Sequence, residues 1–296
     1  MNWDDIKIFL EVARAEKLSQ AAKRLNKDAS TVSRRIHKLE ENLATKLFER
    51  NVDGHELTID GKALLARACV MEQQATLAFD QIALERTDAT GLVKIGCTEA
   101  FASYFITPHL PDFYHQHPSI ALDLLHFSRD VKISRNEADI AISLEKPKNT
   151  SMIVSHLCDY KLQVYVNKNS HICEQIKSHN QSINQLPWVS YVDDMLYTEQ
   201  LAYFNELTDN ITPVFRSNSV ISQYQAIKAG LGVGILPCFL AEQDAQLTPI
   251  YEQEIQLIRH FYLVTHPECK RLARVANTWQ FLKELCQTKT SILMPN

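Results

Sequence analysis

A run of hydroxyl-bearing and basic side chains between residues 30 and 38 is the first feature with recognisable chemistry. Arginine and lysine bind phosphate oxygens or guanine, while serine and threonine contact bases or phosphates. Val32, Ile36 and Leu39 recur at helical spacing in the run, so the polar side chains share the opposite face of one helix. The candidates for contact with DNA on this face are Ser30, Thr31, Ser33, Arg34, Arg35 and Lys38.

The residues before this helix predict a second, shorter helix and a turn that position it. A short helix over Gln20–Leu25, with Ser19 as its N-cap, precedes it. A tight turn at Asn26 and Lys27 joins the two helices. Two short helices joined in this way, with the second basic on its outer face, form a helix-turn-helix whose second helix enters the major groove.

A hairpin signal follows the basic helix. The pair Asp53-Gly54 favours a tight turn, which predicts a small two-stranded wing. Arg50, in this wing, and Ser19 join the candidate DNA contacts. A basic outer face alone is common on amphipathic helices, so the preceding turn and the following wing are what favour the DNA-binding interpretation.

Residues 1–65 resemble the DNA-binding domain of LysR-type transcriptional regulators, which implies a winged helix-turn-helix. The runs that carry the resemblance are Phe9–Ala13, Leu18–Leu25, Thr31–Glu40, Leu47–Arg50 and Leu57–Gly61. Asp28 departs from the Ser or Thr common in the family, but it still suits a helix N-cap. Ala29 stands at a DNA-binding position where the family commonly has a Gln that contacts DNA. The operator sequence is therefore expected to differ from the usual family pattern.

A helix predicted over residues 59–88 has apolar and small side chains at alternating spacings of four and three, from Leu57 through Gly61 to Ile82. Such a seam either packs on the chain's own body or pairs with the same helix of a second copy. Pairing with a second copy is favoured, because a helix that links two domains has few residues of its own chain to pack against. The resemblance also implies pairing between subunits. The predicted dimerisation residues are Leu64, Ala68, Met71, Ala75, Ala78 and Ile82.

Strand-like and helical segments alternate from Gly91 onward, which predicts an α/β fold with a parallel sheet. The resemblance extends to this part and implies a two-lobed, Rossmann-like effector domain similar to type II periplasmic binding proteins. Leu162–Val166 and Phe261–Thr265 are expected to be strands that cross between the lobes. The predicted domains are the winged helix-turn-helix (1–58), the linker helix (59–88) and the effector domain (89–296), with lobe I at 91–163 and 266–296 and lobe II at 164–265.

Gly230, Gly232 and Gly234 raise the possibility of a nucleotide-binding loop. Such a loop follows a strand and opens a helix, whereas here a helix ends at Gly230 and a strand runs on to Pro237. The segment instead resembles the second lobe of the LysR effector domain, so no cofactor is expected. No metal site is expected either, because the seven cysteines include no C-x-x-C pair.

The effector is expected at the carboxyl ends of the strands, where ligands of open α/β sheets bind. Hydroxyls, amides and helix N-termini at those ends suit a carboxylate or another small anion. Glu99 favours a cationic or amine ligand unless it is paired or points away, so both classes stay open. The predicted effector-binding residues are Thr98, Glu99, Phe127, Ser128, Ser143, Tyr191, Asn218 and Ser219.

Composition narrows the function further. No apolar run approaches the roughly 18 residues that span a bilayer, and no secretory signal is recognisable, so a cytoplasmic protein without membrane contact is expected. Motifs such as G-x-S-x-G or a P-loop are missing from the sequence, so no enzyme is expected. The formal net charge of −4 argues only weakly against DNA binding, because the basic face is local.

The resulting hypothesis is a DNA-binding transcriptional regulator controlled by a small molecule. Its expected partners are double-stranded operator DNA, an unidentified small-molecule effector, a second copy in a homodimer or homotetramer, and RNA polymerase. The alternative is a cytoplasmic small-molecule-binding protein of periplasmic-binding-protein fold without sequence-specific DNA binding.

Overall fold

The computed structural model describes residues 2–15, 17–51, 54–83, 89–126, 138–147, 151–179, 183–203, 206, 212–255 and 257–295. These described residues divide into two compact units, one ending at residue 83 and the other beginning at residue 89. Within them, no helix is both long and apolar enough to span a membrane.

The first unit is a winged helix-turn-helix followed by a long helix. Its elements are α1 (Trp3–Ala15), α2 (Leu18–Arg24), α3 (Ala29–Leu43), β1 (Phe48–Asn51), β2 (Gly54–Leu57) and α4 (Ile59–Ala83). β1 and β2 pair antiparallel with Phe48 opposite Leu57, which confirms the predicted wing. Phe9 and Val32 are fully buried in the core of this unit, and the rings of Phe9 and Phe48 lie 5.4 Å apart.

The observed helix ends correct one of two capping predictions and refine the other. α2 begins at Leu18, so Ser19 lies in its first turn and Lys17, in an extended conformation, is the N-cap. Asp28 is the N-cap of α3 as expected, but its carboxylate makes no capping hydrogen bond. Asn26 adopts a left-handed conformation with a φ of 52°, which lets the chain turn between α2 and α3.

One face of α4 packs on its own unit. Ala68 is fully buried there, and Leu64 packs against the same core. A Cβ at Gly61 would lie 2.1 Å from the carbonyl oxygen of Leu47, so glycine permits close approach to the residue that leads into the chain's own wing. The predicted dimer seam is therefore wrong at Ala68, and Leu64 already has partners within its own chain. Two further seam positions lie beyond the described side chains: Ala78 and Ile82.

The second unit is an α/β domain built on one sheet. Its strands are β3 (Gly91–Cys97), β4 (Ile120–His126), β5 (Ile140–Ser143), β6 (Ile153–Asn167), β7 (Trp188–Ser190), β8 (Phe215–Arg216), β9 (Val233–Pro237), β10 (Leu247–Ile250) and β11 (Leu257–Thr265). Its helices are a π-helical turn (Phe101–Ile106), a 3₁₀ turn (Thr107–His109), α5 (Leu110–Gln116), α6 (His171–His179), α7 (Val220–Lys228), α8 (Cys238–Ala241), α9 (Pro267–Lys270), α10 (Ala273–Thr288) and α11 (Thr290–Leu293). Further 3₁₀ turns are Ile183–Gln185, Asp193–Met195 and Glu199–Leu201.

The strand order is β4-β3-β5-β11-β6-β9-β7-β8, with β10 paired to β6. β3 pairs parallel with β4 and β5, and β7 pairs parallel with β8 and β9, as predicted. We call β3–β5 lobe I and β7–β10 lobe II. The sheet is parallel within these groups and antiparallel where β6 and β11 join them.

β6 and β11 are the two crossing strands. β11 pairs with β5 through Tyr262–Val264, and β6 pairs with β9 through Leu162–Tyr165. β6 begins at Ile153, earlier than the predicted strand. Residues 160–166 are buried without a break, so this strand does not alternate between buried and exposed residues. Its pairing with β11 contains a register shift at Phe261 and Tyr262.

Candidate functional site

The outer face of the helix-turn-helix presents most of the predicted DNA-contacting side chains to solvent. Buried Val32 and Ile36 on the opposite face hold α3 in place. Thr31 is half-buried, and the side chain of Arg50 lies outside the described side chains, although its backbone pairs with His55. The exposed members of the predicted set are Ser19, Ala29, Ser30, Ser33, Arg34 and Lys38.

Arg35 differs from its neighbours because it is already engaged within the chain. Its Nη1 donates a hydrogen bond to Oδ1 of Asp5 on α1 at 2.8 Å, and Asp5 is only 2% exposed. A buried carboxylate needs such a partner, since it has lost its hydration. Arg35 therefore holds α3 against α1.

Glu40, whose role has no local signal in the sequence, ties the end of α3 to the wing. Its Oε1 accepts hydrogen bonds from the backbone N–H groups of Leu47 at 2.9 Å and Phe48 at 3.3 Å. Its Oε2 accepts one from Nζ of Lys46 at 2.7 Å. Burial acts to raise the pKa of Glu40, but these hydrogen bonds outweigh it and the pKa lies below its ordinary value of 4.5. Glu40 therefore stabilises the base of the wing in its charged form.

The second unit contains a cavity of about 320 Å³ between the lobes. The cavity lies where β3, β5, β7 and β8 end, as the strand-end argument expects. Ser143 is not among its lining residues, and its hydroxyl accepts a hydrogen bond from the backbone N–H of Glu145 at 3.3 Å. Phe127 and Ser128 lie outside the described residues. The other five predicted effector-binding residues line the cavity together: Thr98, Glu99, Tyr191, Asn218 and Ser219.

Two hydrogen bonds join lobe I to lobe II, and the first of them lies between residues that line the cavity. Oγ of Ser219, in lobe II, donates to Oε2 of Glu99, in lobe I, at 3.2 Å. Oγ1 of Thr198 likewise donates to the carboxylate of Glu145. Ser219 is also the N-cap of α7, where its Oγ accepts from the backbone N–H of Ser222. The Glu99 carboxylate therefore faces the helix end that would otherwise attract an anion.

Aromatic rings make up much of the remaining cavity wall. Tyr160 and Phe261 stack with ring centroids 4.5 Å apart, and Tyr191 meets Tyr203 edge-on at 6.0 Å. Burial raises the pKa of Tyr191 and Tyr203, so both hydroxyls stay neutral. These rings come from separate segments of the chain, and no local pattern marks them. The aromatic lining residues are Tyr160, Tyr191, Tyr197, Tyr203, Phe239 and Phe261.

A winged helix-turn-helix and a two-lobed α/β unit with a cavity together define a DNA-binding protein that also has a ligand-binding domain. Residues 3–62 match the family of bacterial regulatory helix-turn-helix proteins of the lysR type, and residues 86–287 match the LysR substrate binding domain. The chain belongs to the LysR family of transcriptional regulators.

Similar proteins agree with this assignment. The Mau operon transcriptional activator of Paracoccus denitrificans is 23% identical over 282 residues, which are 94% of this chain and 95% of the relative. A full-length OxyR variant of Pseudomonas aeruginosa has a TM-score of 0.72 at 16% identity, covering 96% of this chain and 97% of that structure. Full-length LysG of Corynebacterium glutamicum, solved with bound effector Arg, has a TM-score of 0.63 at 17% identity, covering 96% and 98%. These structural likenesses confirm the fold.

Proposed function

We propose that the chain binds a dyad operator through α3 and the wing, as a homodimer or homotetramer, and that a small molecule between the lobes controls this binding. The observation that carries the proposal is the cavity, because five residues chosen from strand ends alone converge on it. A ligand that prefers one arrangement of the lobes shifts the population toward that arrangement.

The proposed DNA contacts are the predicted ones with a single change. Arg35 moves to a positioning role because its guanidinium pairs with Asp5. Ala29 carries only a methyl group, so it can contact a thymine methyl but cannot read a base by hydrogen bonding. The contact set is Ser19, Ala29, Ser30, Thr31, Ser33, Arg34, Lys38 and Arg50, within a DNA-binding domain of residues 1–58.

The proposed effector is a small organic cation. Among the described residues that line the cavity, Glu99 is the carboxylate and there is no lysine or arginine. The N-terminus of α7, which would attract a carboxylate ligand, already faces Glu99. Ring faces such as those of Tyr160 and Tyr191 attract a cation by about 0.5–2 kcal/mol each. LysG, a relative in fold, was solved with the cationic amino acid Arg as its effector.

We propose that two copies pair through α4, in the linker segment 59–88. An exposed apolar stripe with spacings of four, three and four supports this, and within it Ile59 is 86% exposed and Val70 is 47% exposed. The stripe is Ile59, Ala63, Ala66 and Val70. It replaces Leu64 and Ala68, which face the chain's own core. The other predicted seam residues stay in the proposal as a separate contact, because their spacing continues the Leu64–Ala68 row, on a different side of the helix from the stripe: Met71, Ala75, Ala78 and Ile82.

The family assignment supports the remaining proposals. A transcriptional regulator acts where the chromosome is, so we place the protein in the cytoplasm. It acts on transcription, so we propose RNA polymerase as a partner. We propose no catalytic activity and no cofactor, with an effector domain over residues 89–296.

The experiment that tests this function is selection of genomic fragments by the purified chain, followed by footprinting and a salt titration. A protected dyad whose affinity falls steeply with salt supports the regulator, because neutralised phosphates release counterions. Arg34→Ala should weaken binding, while Lys177→Ala, at an exposed lysine of the second unit, should not. Recovery of fragments no better than random DNA, with both variants behaving like the parent chain, would favour the ligand-binding alternative.

A further inference from the structure

Two histidines and an aspartate meet on the crossing strands, away from the cavity. Nε2 of His156 lies 2.6 Å from Oδ1 of Asp159, and Nδ1 of His260 lies 2.7 Å from the same oxygen. One ligand atom from each of the three side chains lies within 4.8 Å of the other two. Each side chain is about half-exposed, so a solute can reach the cluster.

A β-bulge explains how residues three apart in one strand share a face. In a regular strand His156 and Asp159 would point to opposite faces, because side chains alternate. Here Asp159 lies opposite His260 and His156 lies opposite Tyr262, so β6 has one residue more than β11 between these pairs. Leu157 is the extra residue, and its insertion places His156 and Asp159 on the same face of the sheet.

We propose that His156, Asp159 and His260 bind a divalent transition metal ion, with Zn²⁺ as the reference ion. Imidazole nitrogen and carboxylate oxygen are both zinc ligands, and two histidines with one carboxylate leave coordination positions open. The site differs from the effector cavity, since none of the three residues lines it. The proposal therefore stands independently of the effector assignment.

Coordination requires only small side-chain movements. Zn–N and Zn–O bonds of about 2.0–2.2 Å place ligand atoms roughly 3.3 Å apart in a tetrahedral site. The nitrogen-to-oxygen distances of 2.6 and 2.7 Å must therefore open by about 0.6 Å, and the two histidine nitrogens, which lie within 4.8 Å of each other, must come to roughly 3.3 Å. Exposed side chains on fixed strands can do this by rotating. The nitrogens facing Asp159 then supply lone pairs, and their protons move to the other ring nitrogen or to solvent. Water completes the coordination.

A metal ion at this site would link the two crossing strands, β6 and β11. The cluster lies between Tyr262–Val264, where β11 pairs with lobe I, and Leu162–Tyr165, where β6 pairs with lobe II. A metal held by both crossing strands cross-links the connection between the lobes at its middle. Three residues from two strands, two of them 101 positions apart, form no spacing motif, so the sequence analysis expected no metal here.

Calorimetric titration of the metal-stripped full chain with ZnCl₂ tests the proposal. The parent chain should bind one Zn²⁺ that His260→Ala and Asp159→Asn bind at least about tenfold more weakly, since loss of even an outer-shell partner costs 10–100-fold. The matched control is His171→Ala, which removes an exposed histidine 3.6 Å from Glu174 that has no third ligand nearby among the described residues. Circular dichroism reports whether each variant is folded.

The outcomes separate cleanly. Weaker binding in both cluster variants, with the His171→Ala chain unchanged, supports the site. Asp159→Asn preserves side-chain size, so it keeps the test valid if His260→Ala does not fold. Equal affinity and stoichiometry in the parent chain and Asp159→Asn, or no zinc binding by the parent chain, overturns the proposal.

Discussion

Arg35→Ala is expected to destabilise the first unit, in addition to any effect on its affinity for DNA. Removing the guanidinium leaves the carboxylate of Asp5, whose side chain is 3% exposed, without its partner at 2.8 Å. Breaking a fully buried ion pair costs about 3–5 kcal/mol. The Arg35 side chain is 36% exposed, so water replaces part of the interaction. Hydrogen bonds to charged groups contribute about 1.5–3 kcal/mol, and we therefore expect a loss near 2 kcal/mol.

Urea denaturation of the full chain, together with hydrogen exchange of the amides in α1 and α3, measures this loss locally. The matched control is Arg34→Ala, one residue away and exposed. It should change the free energy of unfolding by less than about 0.5 kcal/mol and lower the salt slope of operator binding by about 1. In an Asp5→Ala background, Arg35→Ala should cost little more, because no buried carboxylate remains to be paired.

Equal unfolding free energies for Arg34→Ala and Arg35→Ala, with equal protection of α1, would mean that Arg35 does not hold α3 against α1. Arg35 would then return to the DNA-contacting set. A loss of operator affinity in Arg35→Ala that is proportional to its loss of folded protein would support the positioning role.

Three further predictions follow from the same structure. Glu40→Gln should lower the free energy of unfolding by about 1–2 kcal/mol at neutral pH. Because the pKa of Glu40 is lowered in the folded chain, this loss of stability should be complete above pH 4.5. Denaturation curves recorded at lower pH should show the loss shrinking. Gly61→Ala gains about 1 kcal/mol of helix propensity. It also places a Cβ 2.1 Å from the carbonyl oxygen of Leu47, and such overpacking costs about 3 kcal/mol. Thermal denaturation should therefore show a net loss of stability. Glu99→Gln should weaken calorimetric binding of phenethylamine while leaving a neutral alcohol of the same shape unaffected.

Local patterns were sufficient to predict the helix-turn-helix, the wing and most strands. The 3.6-residue repeat of Val32, Ile36 and Leu39 reports which face of α3 is buried, and the carboxyl ends of β3, β5 and β11 follow from short apolar runs. Glu99 and Ser219 could be placed at one cavity because parallel strands end at the same edge of a sheet.

Features that depend on tertiary approach could not be predicted in this way. The sequence marks Arg35 as basic and outward-facing, but its pairing with Asp5 depends on how α1 packs on α3. Ala68 lies on a heptad pattern, yet the pattern is the same whether the helix packs on its own unit or on a partner. The cluster around Asp159 needs a β-bulge, and a bulge leaves no periodic signal.

We expect an organic cation in the cavity to control operator binding. Fluorescence anisotropy of the selected operator, measured with phenethylamine, arginine and phenylpropionate as probes, shows whether it does. One or both cationic probes should shift the operator Kd of the parent chain, phenylpropionate should not, and Glu99→Gln should abolish the shift. A shift produced by phenylpropionate alone, or a cation effect that persists unchanged in Glu99→Gln, would contradict this expectation.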